Sequence, residues 1–123
     1  MTLRAEELIS VAREDGRVIV RWRGEIDLAI APAVQERTLE ALGNTDEDLM
    51  LDLSAVDYLD SSGLRSLMLM RALLDARQLR LVLVLPEGSP LRRALEIGGV
   101  ARVVPTYPTL EEATTALGGP AAR

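Results

Sequence analysis

Leu81-Val82-Leu83-Val84-Leu85 is an unbroken apolar run with no polar alternation. A strand of that pattern has to be covered on both faces, which a sheet with one side in water does not provide. The flanking chain supplies the cover. Leu49-Met50-Leu51-Asp52-Leu53 is a second strand-like run, and a helical pattern from Ser62 to Arg77 lies between the two. Leu91–Glu96 reads as a further helix, Arg102–Pro105 as a weaker strand and Thr109–Leu117 as a last helix. Strand, helix and strand joined by short links predict right-handed parallel crossovers.

The first third of the chain reads differently. Leu8–Ala12 and Arg17–Trp22 are β-like runs separated by Arg13-Glu14-Asp15-Gly16, and an Asp-Gly pair there predicts a hairpin. Arg23-Gly24-Glu25-Ile26-Asp27 reads as a charged turn. Ala31-Pro32 then opens a helix that runs to Leu42 and stops at Gly43-Asn44. The expectation is one α/β domain over residues 1–117, with Gly118–Arg123 as a frayed tail.

Composition narrows the chemistry. With 48% apolar and 27% charged residues the 123-residue chain has the balance of a folded domain. No apolar run approaches the roughly 18 residues that span a bilayer, and Met1–Glu7 carries charges where a signal peptide has an apolar core. No membrane association is expected, and the cytoplasm is the expected location. Cysteine and histidine are both absent, which removes disulfides, thiolate metal sites, a Ser-His-Asp triad and the commonest zinc sites. Neither a metal nor a cofactor is expected. A net charge of −5 without a basic stripe argues against direct nucleic-acid binding. All 14 basic residues are arginine.

The chemistry-bearing stretch is Asp60-Ser61-Ser62-Gly63-Leu64, two hydroxyls where a loop becomes a helix. A helix N-terminus has unsatisfied N–H groups and the positive end of the dipole, so it tolerates a phosphate. Gly63 reads as leaving the backbone beside the hydroxyls uncovered for another protein. This points to a switch rather than a catalytic centre. Asp and Ser are also among the best N-cap residues, and capping and modification can share one site. Along the following helix, Leu67, Leu69, Met70, Leu73 and Leu74 fall on one broad face suited to a sheet, with Arg71 and Asp75 opposite as an i, i+4 pair. Leu64, Met68 and Arg71 are expected to form an exposed partner-binding patch contiguous with Ser61. Met50 and Met70 read as packing residues, Asp52 as a strand end, and Arg92 and Arg93 as the polar face of a short helix.

Gly24-Glu25-Ile26-Asp27 after a strand ending in Trp22, and Leu51-Asp52-Leu53-Ser54-Ala55-Val56 before Tyr58-Leu59-Asp60-Ser61-Ser62-Gly63-Leu64, together resemble the STAS domain of sulfate transporters and anti-sigma factor antagonists. The resemblance runs from Val18 to Leu117. It implies a mixed sheet with largely parallel core strands and helices packed mainly on one face. In the bacterial antagonist branch it implies partner switching without catalysis. The unmodified antagonist binds an anti-sigma factor that is itself a serine kinase; the kinase phosphorylates it and releases it, and a serine phosphatase resets the cycle. Carried over, the phosphoacceptor is Ser61, with Ser62 the neighbouring candidate. Asp60 and Gly63 complete the site loop, Glu25 and Asp27 match the acidic loop beside it, and Asp57 is a further nearby carboxylate.

Two positions depart from the family pattern. Leu59 stands where an aromatic or isoleucine is common. Arg65, among the expected partner-binding residues, puts a cation where many relatives have a small or apolar residue, so it would soften repulsion from a phosphate or steer partner choice. The rival readings are a STAS subunit of a lipid-transporting ABC system, and a small nucleotide-binding module using Asp27, Asp57 and Asp60. The second lacks a Gly-rich phosphate loop with its lysine.

Overall fold

The computed structural model describes residues 4–118; apart from Gly118, the expected tail lies outside them. The chain folds as α1 (Ala5–Leu8), β1 (Ile9–Glu14), β2 (Arg17–Ile26), α2 (Ala31–Leu42), β3 (Asp48–Leu59), α3 (Ser61–Ala76), β4 (Leu81–Val84), α4 (Leu91–Ile97), α5 (Val100–Val103), β5 (Thr106–Tyr107) and α6 (Leu110–Ala116). The five strands lie in one sheet in sequence order. β1 and β2 are antiparallel, and every later pair is parallel. Between β1 and β2, Asp15 and Gly16 both take positive φ, 50° and 75°, as a two-residue turn matched to strand twist requires.

β4 is buried on both faces, as its unbroken apolar run requires. Leu81 and Leu83 pack into the main core with Val20, Trp22 and Leu51 of the sheet and Val34, Leu67 and Leu95 of the helices. Val82 and Val84 point the other way, into a smaller cluster with Met50, Ala113 and Leu117 beneath α6. The helices up to α5 thus share one face, and α6 alone covers part of the other. Trp22 is fully buried, and its Nε1–H donates to Thr38 Oγ1 at 2.8 Å while that hydroxyl donates to the Val34 carbonyl at 2.8 Å. The core's largest side chain therefore brings its one polar atom to a partner on α2. No helix among the described residues is long and apolar enough to cross a membrane.

Four features differ from the sequence reading. The stretch expected as a charged turn at Arg23–Asp27 is mostly strand: β2 continues to Ile26 and β3 to Leu59, because Ile26, Val56 and Leu59 all enter the core. Register shifts after Arg21 and after Gly24 take up the extra residues of β3. Asp52 does not end a strand. It sits inside β3, 3% exposed, with Oδ2 2.9 Å from Arg21 Nε and Oδ1 accepting from the Ser54 N–H. Arg102–Pro105 is not a strand either. Gly99, at φ +80°, admits the helical turn α5, whose Val100 and the following Val104 are both buried at helical spacing; the strand comes two residues later. Finally, Ala5–Leu8 is a helical turn ahead of β1.

Thr38→Val keeps the shape of α2 and leaves the buried Trp22 N–H without an acceptor. The expected loss is about 1–3 kcal/mol of unfolding free energy, measured by urea denaturation followed through the single tryptophan's fluorescence.

Candidate functional site

Parallel pairing of β2 with β3 brings the two motifs together at the carboxyl ends of adjacent strands. Ile26 is in register with Leu59, so Asp27 and Asp60 leave the sheet side by side. The Asp60 N–H donates to the Ile26 carbonyl at 3.3 Å. Each carboxylate then organises a turn. Asp27 Oδ1 accepts from the Ala29 N–H at 3.0 Å, and its carbonyl accepts from Ile30 and Ala31 to start α2. Asp60 is the N-cap of α3: Oδ1 accepts from the N–H of Ser62 at 2.8 Å and of Gly63 at 3.2 Å. Its Oδ2 accepts from the Leu28 N–H at 3.0 Å. One side chain thus joins the start of α3 to the loop before α2.

Gly63 has a different role from the one its sequence suggests. It is buried, and a Cβ there would lie 2.4 Å from Leu59 Cδ1 and 3.3 Å from the Ile26 carbonyl oxygen. The glycine faces inward and lets α3 close onto the two strand ends; it does not open the backbone to a visitor. Ser61, the first helical residue, is exposed, while Ser62 is half-buried on the side that faces α2.

The phase of α3 corrects the expected faces. Gly63, Ser66, Leu67, Met70 and Leu74 form the buried stripe. Leu69 and Leu73, expected against the sheet, are 44% and 40% exposed. Leu64 and Met68, expected to be exposed, are half-buried and packed against the core. The reason is tertiary: the α4–α5 turn covers that flank, bringing Gly98 against Leu64 closely enough that a Cβ would lie 2.9 Å from Leu64 Cδ1. Arg71 does pair with Asp75, Nε to Oδ2 3.4 Å.

The exposed apolar surface lies on the opposite flank. Leu28, Pro32, Leu39 and Leu69 line an open groove between α2 and α3, with Ser62 and Arg65 on the α3 side. Leu28 is 69% exposed, held at the groove's end by its N–H bond to Asp60. Ile97, 75% exposed, stands out separately at the end of α4. Sequence reasoning missed Leu28, although an apolar residue at the tip of a turn begun by Asp27 was a readable signal.

The remaining acidic candidates, Glu25 and Asp57, lie on the strands that lead to the site loop. Glu25 lies on β2 between Gly24 and Ile26, both turned toward the core, so its exposed side chain is on the sheet face away from α3. Asp57 is exposed on β3 between the core residues Val56 and Leu59. Among the described residues no three acidic side chains gather as metal ligands.

Asp60→Ala removes the side-chain acceptor of three backbone N–H groups at once and is expected to cost about 1–2 kcal/mol. Gly63→Ala, which forces Leu59 aside, is expected to cost about 1–3 kcal/mol. Urea denaturation of each variant checks both values.

Comparison with known proteins agrees with this geometry. The STAS domain family profile matches residues 9–113. The anti-sigma-F factor antagonist RsfB of Mycobacterium tuberculosis is 32% identical over 111 residues, covering 90% of this chain and 89% of the relative. The putative anti-sigma factor antagonist BtrV of Bordetella bronchiseptica is 30% identical over 112 residues, covering 88% and 92%. Among solved structures, an anti-sigma factor antagonist from Mycobacterium paratuberculosis superposes with a TM-score of 0.78 at 32% identity, covering 88% of this chain and 91% of that one. With the profile, the paired strand-end motifs and the fold in agreement, the chain belongs to the STAS domain family.

Proposed function

We propose that this protein is an anti-sigma factor antagonist that works by partner switching and has no catalytic activity of its own. In its unmodified form it binds an anti-sigma factor in the cytoplasm. That partner, acting as a serine kinase, transfers the γ-phosphoryl group of a nucleoside triphosphate to Ser61 Oγ, with loss of the hydroxyl proton and departure of the diphosphate, and is thereby released; a serine phosphatase hydrolyses the phosphoester with water. The observation that carries this reading is the position of Ser61, an exposed hydroxyl on the first residue of a helix fixed by Asp60, next to an exposed apolar groove. Ser62, half-buried toward α2, is the poorer acceptor. The names carried by the relatives from Mycobacterium tuberculosis and Bordetella bronchiseptica support the anti-sigma factor antagonist part of this reading.

The switch follows from electrostatics. A phosphate adds roughly −1.5 to −2 charge at neutral pH. Beside the groove it confronts any acidic or desolvating partner surface, and like-charge juxtaposition at an interface costs several kcal/mol. That is enough to dissociate a micromolar complex. The fold itself need not change. The docking surface is the groove with Leu28, Arg65 and Leu69. Leu64, Met68 and Arg71, on the flank toward α4 and α5, support α3 rather than contact the partner directly.

Intact-mass spectrometry of protein from its native host, with and without phosphatase, is expected to show one removable phosphate, and fragmentation to locate it on Ser61. Only unmodified protein under every growth and stress condition would remove the switch. Ser61→Ala is expected to retain the anti-sigma factor in a pulldown. Leu69→Glu is expected to weaken that capture at least tenfold with a nearly unchanged melting temperature. Met68→Glu is expected to lower the melting temperature, because Met68 packs against the core.

A further inference from the structure

Past Ser61 itself, the N–H groups of the helix N-terminus that make it look hospitable to a phosphate are already occupied. The N–H groups of Ser62 and Gly63 both donate to Asp60 Oδ1, and the Leu64 N–H donates to the Asp60 carbonyl. A phosphate on Ser61 takes those donors only by displacing the cap. Its countercharge has to come from a side chain, and no lysine exists in the chain.

Along α3, Arg71 pairs with Asp75 and Arg77, at the far end of the helix, donates to the Thr45 carbonyl; past the carboxyl end of β4, Arg92 donates to the carbonyls of Leu85 and Pro86. Arg65 is exposed, and no hydrogen bond or ion pair to another described residue holds it. It stands four residues after Ser61 in the same helix, the spacing at which side chains are neighbours about 5–6 Å apart at Cβ. Helical side chains lean toward the N-terminus, so a side chain at position 65 can swing back to Ser61. Its planar fork matches a phosphate in two parallel hydrogen bonds.

We propose that Arg65 is the intramolecular receptor for the phosphate on Ser61, and that this capture is part of the switch. The inference rests on the reading of Ser61 as the phosphoacceptor. In the unmodified protein Arg65 is a cation at the mouth of the α2–α3 groove, beside Leu69 and Ser62, available to a carboxylate of the anti-sigma factor. In the modified protein the guanidinium turns to the phosphate. The groove loses its cation and gains a net negative charge in the same step. Modification thus withdraws an attraction as well as adding a repulsion, and the captured phosphate is held against α3 with its charge partly compensated.

The test installs phosphoserine at position 61 during translation, so it needs no kinase. The second ionisation of the phosphate is followed by ³¹P NMR in low salt, in the otherwise unchanged protein and in Arg65→Gln and Arg71→Gln variants. A paired guanidinium favours the dianion, so the phosphate's pKa is expected to lie about half a unit lower with Arg65 present than in Arg65→Gln. Arg71→Gln is expected to leave it unchanged, and about 1 M salt to erase the difference. The carboxylates facing the site, Asp27 and Asp60 at the strand ends and Glu36 and Glu40 on α2 across the groove, act alike in all three proteins. Far-UV circular dichroism verifies that each variant is folded. Equal pKa values with and without Arg65, or an equal rise in Arg71→Gln, would overturn the capture. Phosphate found on Ser61 in the host with no Arg65 effect would leave the switch standing and remove only Arg65. The NMR shift without phosphate in the host would do the reverse.

Discussion

The Asp60 carboxylate is the interaction on which the rest of this site depends. It caps α3 through two backbone N–H groups and holds the loop before α2 through a third. Its own N–H is tied to the Ile26 carbonyl of the neighbouring strand. Charge-assisted bonds of this kind are stronger than neutral ones, and here they converge where two parallel strands end. Carboxyl ends of parallel strands are the usual place for function in open α/β sheets. This protein uses that place to fix an exposed hydroxyl and an exposed leucine on a rigid frame.

That frame is set by the sheet. The β2–β3 pairing aligns Ile26 with Leu59, and Gly63 lets α3 approach both. A side chain at position 63 has no room, so the glycine is needed for packing between helix and strands. Once α3 is seated, its buried stripe from Gly63 to Leu74 determines which residues remain outside. Leu69 then borders the groove beside α2, while Leu64 and Met68 lean on the α4–α5 turn. The surface left outside is thus a consequence of helix phase, and the phase is a consequence of the core.

Charge is distributed to match. The buried Asp52 with its half-exposed partner Arg21, and the exposed Glu25, lie on the sheet face away from α3. Near Ser61 itself, both carboxylates are engaged with backbone N–H groups. The proposed phosphate at Ser61 would therefore meet few free donors, which is why the proposal turns on the uncommitted Arg65.

What the sequence by itself determined was local. The unbroken run at Leu81–Leu85 demanded cover on two faces, Asp15-Gly16 fixed the hairpin, Pro32 and Gly43 bounded α2, and the Asp60-Ser61-Ser62-Gly63 stretch marked the capped start of α3, because each follows from propensity, period or turn chemistry within a few residues. The strand ends at Ile26 and Leu59, the helical turn at Val100–Val103, the burial of Asp52 and the outward faces of α3 were decided only by tertiary structure. In each of these cases a residue's state depends on which distant segment covers it. A β-branched pair such as Val103-Val104 favours a strand in isolation, yet the core places Val100 and Val104 at helical spacing. A broad apolar helix face such as that of α3 fits two phases equally until α4 and α5 close over one flank, and no local pattern specifies which flank that is.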